Sequence, residues 1–254
     1  ELAGVDIVVV DNDPEGPHGQ RLKGDFEAKK YLNRTAGARY IPMSQPKGTA
    51  APRERAIAEA EGEFVLCIDS HIMFPDPHTI WRLIDYFNKN PKTIDLISGP
   101  MLLDDLHRFQ THFNPIWRGE MYGTWGVAWS TPKGIPFAAV ESQQETLECR
   151  SLDMRFELLT SAWFPQNVPW AGHERVLIEA GCNILGRHND DVFEVPGQGL
   201  GCFAFRKEVW PGFNPNFNAF CGEELYIHEK FRRNGGRCLC LGFLKWLHRF
   251  GRPG

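Results

Sequence analysis

The chain has 254 residues, of which 42% are hydrophobic and 24% charged, with a formal net charge of -4. These values exclude a wholly disordered chain and any global electrostatic drive toward nucleic acid, and the length suits one α/β domain with a well-buried core. No apolar run approaches the ~18–20 residues of a membrane span.

Asp6-Ile7-Val8-Val9-Val10 opens the pattern as a strand, followed by the turn-rich DNDPEGPHG. Residues from about Gln20 to Ala36 carry Leu22, Phe26, Ala28, Tyr31 and Leu32 among charges, a helical spacing. Ala38-Arg39-Tyr40-Ile41-Pro42 reads as a short strand, and GTAAPRERAIAEAEGE as a helix with Pro52 in its first turn and Gly62 just past its end. Phe64-Val65-Leu66-Cys67-Ile68 is a continuous apolar run of the kind buried on both faces of a parallel sheet. PDPHTIWRLIDYFNKNP follows as a helix with Ile80, Leu83, Ile84 and Phe87 on one face, and then Asp95 to Pro100 as a strand. From about 104 to 195 no sustained period survives. Trp117, Trp125, Trp129, Trp163 and Trp170 are scattered there among Gly and Pro, as packing residues or as stacking surfaces for a sugar, a base or a peptide. Order returns with PGQGLGCFAFRKEVW, a glycine-rich entry into a strand. CGEELYIHEKFRRNGG is then a helix opened by Gly-Glu-Glu, and RCLCLGFLKWLHRF a last strand and its extension. This β-α-β-α-β rhythm predicts a mostly parallel central sheet flanked by helices, in one domain spanning 1–254. Its nucleotide-binding half is expected at about 1–100 and its acceptor-binding half at about 101–254.

The seven cysteines show no CxxC pairing. Cys67 lies inside a strand pattern and Cys238 and Cys240 alternate in another, which predicts packed, reduced thiols and a cytoplasmic protein. The alternative is the lumenal catalytic part of a longer chain.

The chemistry concentrates where the run FVLCI ends in Asp69-Ser70-His71. The carboxyl end of a strand is where open α/β sheets build ligand sites. On an extended backbone, residues i and i+2 point to one side, so the Asp69 carboxylate and the His71 imidazole can converge on one cation. Carboxylate suits Mg²⁺ and Mn²⁺, and imidazole shifts the preference toward Mn²⁺ or a later metal. The same residues could instead satisfy loop backbone groups. The acidic start Gly222-Glu223-Glu224 has a dipole explanation, and His248-Arg249 a surface one. The order of these features along the chain is explained by neither.

That order resembles the GT-A glycosyltransferases, in particular the retaining branch with the polypeptide N-acetylgalactosaminyltransferases and the hydroxyproline N-acetylglucosaminyltransferases. The resemblance runs from DIVVVDND through APRERAIAEAEGEFVLCIDSHIMF, and again from PGQGLGCFAFRKEVW through FCGEELYIHEKFRRNGG to LHRF. It implies a GT-A, Rossmann-like α/β fold and transfer of a sugar, most fittingly an N-acetylhexosamine, from a UDP-sugar to a hydroxyl with retention. By position, Asp69, His71 and His248 match the metal ligands, with Mn²⁺ (or Mg²⁺) as cofactor. Asp11 and Arg53 match positions near the nucleotide, and Gly199, between Gly197 and Gly201, the loop against the donor sugar. Glu223 and Glu224 match the acidic pair near sugar and acceptor, and sequence does not separate their roles.

The chain departs from the family pattern ahead of DIVVVDND, where the strand with the PTYN-like uracil segment is expected, and over 104–195, where the acceptor loops are not recognisable. The acceptor is therefore open: protein, glycan, or a hydroxymethylated DNA base whose phosphates Arg232-Arg233 and Lys245 to Arg249 could touch. A catalytically silent module that binds nucleotide-sugar or glycan is the rival reading. A zinc hydrolase is disfavoured, because no HExxH or similarly compact ligand spacing occurs.

Overall fold

In a computed structural model, residues 5–27, 38–45, 47–102, 109–118, 121–126, 192–217 and 222–249 are described. Strand β1 (Ile7–Asp11) pairs in parallel with β2 (Ala38–Pro42) across the intervening helix α1 (Pro17–Glu27). Helix α2 (Ala50–Glu59) follows, with Pro52 in its first turn, where no amide hydrogen is needed. It leads into β3 (Phe64–Ile68). Beyond Asp69-Ser70-His71 come the short β4 (Ile72–Met73), α3 (Thr79–Lys89), β5 (Leu96–Ser98) and β6 (Met101–Leu102). Strands β7 (Phe109–Gln110), β8 (His112–Arg118) and β9 (Met121–Gly126) precede β10 (Val192–Glu194) and β11 (Cys202–Arg206). The chain then runs through α4 (Glu223–Arg233), β12 (Cys238–Leu241) and β13 (Trp246–His248).

The central sheet has the order β10-β12-β5-β11-β3. Successive residues of its strands feed opposite layers, as the twofold repeat of a strand requires. Val65, Cys67, Leu96, Phe203, Phe205, Cys238 and Cys240 pack with Ile57 of α2 and with Ile227 and Phe231 of α4. Ile97, Ala204, Leu239 and Leu241 pack with Leu83 and Phe87 of α3 on the other side. The result is an α/β/α sandwich, in which full burial of Ile227 or Phe231 contributes roughly 1.5–3 kcal/mol each.

The α/β class is as expected, and the strand sense differs in detail. The β5–β12 pairing is parallel, whereas β3–β11, β5–β11 and β10–β12 are antiparallel, so the described sheet is mixed rather than mostly parallel. Continuous apolar runs report burial on both faces, and an antiparallel strand such as β11 enclosed by helices has the same composition. The expected last strand is two strands, β12 and β13, separated by a turn at Gly242-Phe243. Strands from both sides of residue 100 share the sheets, since β5 pairs with β12 and β13 pairs with β4 and β6. The expected helix from Gln20 to Ala36 lies within α1 as far as Glu27, and its remainder lies outside the described residues.

A smaller sheet, β4-β13-β6-β7, positions the site. Its β4 leaves directly from His71, and its β13 ends in His248, with Ile72 opposite His248 and Met73 opposite Leu247. Gly99 lets the β5–β6 link meet the segment before β13: a Cβ there would lie 1.8 Å from the Leu244 carbonyl oxygen. Trp246 closes the same junction, its indole N–H donating to the Gly99 carbonyl at 2.8 Å and its backbone N–H to that of Pro100.

Candidate active site

At the end of β3 the chain turns instead of continuing extended. The Asp69 amide donates to the Gly201 carbonyl at 2.9 Å, and the Ile72 amide reaches back to the Asp69 carbonyl at 3.3 Å. The expectation that i and i+2 converge through an extended backbone is thereby corrected: a tight turn makes the convergence, and β4–β13 pairing brings His248 to meet it. The Arg249 amide donates to the His71 carbonyl, fixing that register.

Ligand atoms of Asp69, His71 and His248 lie within 4.8 Å of one another, and all three side chains are half-buried. The His71 and His248 Nε2 atoms are 2.9 Å apart, with their rings edge to face. Two ligands at right angles on a small octahedral cation are about 3.0 Å apart, given metal–ligand distances near 2.1 Å. One carboxylate and two imidazoles with ligand atoms this close together thus fit a divalent cation, with coordination positions left for substrate oxygens and water.

Behind this trio sits a second constellation. Arg53, on α2, donates from Nη2 to Asp69 Oδ1 at 2.9 Å and from Nη1 to Glu223 Oε1 at 2.8 Å. The Thr49 hydroxyl donates to the same Glu223 oxygen. Glu223 is only 2% exposed and Arg53 12%. Burial pulls the guanidinium pKa down, but the charge of Asp69 and its hydrogen bond, helped by Glu223, leave it raised. Glu224, the next residue, is half-buried, and its carboxylate accepts from the Gly222 amide at 3.0 Å. Burial, and then the neighbouring Glu223 charge, push its pKa up. The two glutamates that sequence left equivalent are therefore distinct: Glu223 is committed to protein partners, and Glu224 is the more accessible.

Asp11 sits at the end of β1, where Oδ1 accepts from the Asp13 amide and Oδ2 from the Tyr40 hydroxyl at 2.7 Å. Its neighbour Asn12 ties that strand end to the start of α2, through Gly48 and Lys47. Gly199 lies half-buried in the loop between β10 and β11. In that loop Gly197 and Gly201 are required by close approach and not by positive φ. A Cβ on Gly197 would be 2.5 Å from Leu225, and one on Gly201 2.9 Å from the Trp246 ring.

Sequence reasoning missed Gln198 and His228, which lock this loop. The Gln198 side-chain amide donates to the Gly99 and Thr111 carbonyls, and its backbone N–H donates to His228 Nε2 at 3.0 Å. His228 Nδ1–H in turn donates to the Glu224 carbonyl at 2.6 Å. The basic runs set aside for phosphate contact are largely spent within the protein. Arg232 and Arg233 pair with Glu229. Lys245 is 2% exposed and donates to the Gly242 carbonyl, which removes it from a phosphate-binding role. Trp117 and Trp125 fall on the backbone of the β8–β9 hairpin, and Trp129, Trp163 and Trp170 lie outside the described residues.

Residues 5–130 match the sequence model of glycosyl transferase family 2, a span that includes Asp11, Arg53, Asp69 and His71. This part of the chain is thus similar to glycosyl transferase family 2. The crystal structure of GalNAc-T7 with UDP, GalNAc and Mn²⁺ shares the GT-A fold with a TM-score of 0.58 at 13% identity, over 96% of this chain. The chain spans 38% of the length of that protein. No curated protein matches the sequence. Among the described residues, no helix is long and apolar enough to cross a membrane.

Proposed function

We propose that the protein is a metal-dependent, retaining glycosyltransferase that moves a sugar, most fittingly an N-acetylhexosamine, from a UDP-sugar to a hydroxyl acceptor. The observation that carries this reading is the convergence of Asp69, His71 and His248 at the carboxyl end of β3, within a GT-A fold. A neighbour of the same fold has UDP and Mn²⁺ in its crystal structure. When bound at these three residues, a divalent cation supplies charge neutralisation for the departing diphosphate. Asp11 at the end of β1 lies on the nucleotide side, with its carboxylate oriented by Tyr40 and Asp13. The loop of Gly199, braced by Gln198, forms the wall against the donor sugar. Glu224 orients the acceptor hydroxyl or donor sugar by hydrogen bonding, whereas Glu223 serves the frame.

The test is a panel of UDP-sugars with Mn²⁺ or with chelator, followed by NMR of the sugar first released. Metal-dependent turnover of one donor, with the anomeric configuration kept, is expected. Folded His71→Ala and His248→Ala variants should lose Mn²⁺-dependent UDP binding, and unchanged affinity in either would sink the site. Release of the inverted anomer would overturn retention. Metal-dependent binding with no turnover of any donor, with or without hydroxyl acceptors, would instead identify a silent binding module.

A further inference from the structure

We propose that Arg53 is a positioning residue: it pins the Asp69 carboxylate for the cation, and Glu223 acts only by holding Arg53 in place. This deepens the metal reading of Asp69, His71 and His248 and rests on it. An aspartate carboxylate has a broad, soft terminal torsion, and Asp69 is 26% exposed at a turn. Among the described residues, no backbone N–H of the turn donates to the Asp69 carboxylate to fix which oxygen faces the histidines. Arg53 removes that freedom by engaging Oδ1 at 2.9 Å, while Oδ2 stays on the Gly201 side, 3.6 Å from where a Cβ there would sit. The guanidinium is itself almost enclosed, and an enclosed cation needs a counter-charge on each working face. Glu223 supplies it from the start of α4, which packs on the same face of the sheet as α2, and Thr49 holds Glu223 from the α2 start. The chain Thr49–Glu223–Arg53–Asp69 therefore connects the first turns of two helices to a metal ligand. Partners of this kind that orient ligating carboxylates typically carry 10–100-fold of metal affinity. The planar fork of Arg, and not charge alone, lets one side chain hold two carboxylates at fixed separation.

Charge-conserving variants isolate geometry, because removing the arginine would also make the site more anionic and favour cation binding on electrostatic grounds. The probe is Mn²⁺ alone, titrated into wild type, Arg53→Lys, Glu223→Asp and the double variant. Free Mn²⁺ is followed by its EPR signal, and each protein's urea midpoint is measured beside it. The expected result is Mn²⁺ binding weaker by about tenfold or more in Arg53→Lys, with a smaller loss in Glu223→Asp. The double variant should be no weaker than Arg53→Lys, since Glu223 works through Arg53. A purely structural salt bridge would move the urea midpoints and leave the Mn²⁺ affinities alone, and that outcome overturns the inference. Additive losses in the double variant overturn the Glu223 part. If Arg53→Lys does not fold, Glu223→Asp decides: wild-type affinity in that variant sinks the relay. A wild-type protein that binds no Mn²⁺ refutes the metal site itself, and the inference with it. Wild-type binding with equal affinities in folded variants refutes the inference alone.

Discussion

His228 offers a sharp physical test of the assembled site. It is 1% exposed, its Nδ1–H is donated to the Glu224 carbonyl, and its Nε2 accepts the Gln198 amide. Protonating Nε2 would set one N–H against another in a buried position. Burial, with Arg232 nearby, lowers its pKa to about 4 from an ordinary value of 6.5. Between those values the unfolded chain binds the proton and the folded protein does not, so stability rises with pH across this window. The contribution is fully present above pH 6.5 and is lost as pH falls toward 4. At about 1.36 kcal/mol per unit of pKa difference, it amounts to roughly 3 kcal/mol. The assay is urea unfolding of wild type and His228→Gln in chelator, at half-unit steps from pH 7.5 to 4. The variant lacks the titrating group, so its stability gap to wild type should shrink by roughly 3 kcal/mol over the descent. The depressed carboxylate pKa values of Asp6 and Asp95 act at lower pH and in both proteins, so they drop out of the difference. A gap that stays constant with pH would refute the neutral, doubly bonded imidazole.

Three further outcomes follow from packing. Gly99→Ala drives a Cβ into the Leu244 carbonyl oxygen and should destabilise by about 3 kcal/mol or more in urea unfolding, or prevent folding. Gly24→Ala, inside α1 with nothing within 4 Å of the new methyl, should stabilise by about 0.5–1 kcal/mol, raising the urea midpoint. Ile227→Ala empties a fully buried site between α4 and the sheet and should lose about 2–5 kcal/mol, whereas Trp81→Ala, at a position 47% exposed, should change stability by no more than about 0.5 kcal/mol in the same assay.

Elements set by local pattern were legible in the sequence. The apolar runs gave β1, β3 and β12, and the apolar face of Leu83 and Phe87 gave α3, because twofold and 3.6-fold spacing is a property of neighbouring residues. Asp69 and His71 stood out as polar residues ending a buried strand. The reason they meet each other and His248 was not legible, because the turn at Ser70 leans on Gly201 and the β4–β13 pairing brings in His248, 177 residues from His71. Arg53 and Glu223, 170 residues apart, could each be read only as a surface residue or by resemblance, since nothing near either one names its partner. His228 looks in sequence like one more polar residue on an amphipathic helix. Its role depends on the loop carrying Gln198 crossing its face, and that crossing is a property of topology.

Four thiols, Cys67, Cys202, Cys238 and Cys240, are buried in the strands of the central sheet. Burial pushes Cys67 and Cys238 up to about 12 and Cys202 well above its usual value, so almost no thiolate is present to attack an alkylating reagent. Each is a natural clock for the opening of its own strand. Iodoacetamide pulses read peptide by peptide time β3 through Cys67, β11 through Cys202 and β12 through Cys238 and Cys240, without any engineered label. Uniform rates across the three strands mean that the sheet opens as a single unit, and faster labelling at Cys67 means that the strand bearing Asp69 loosens first.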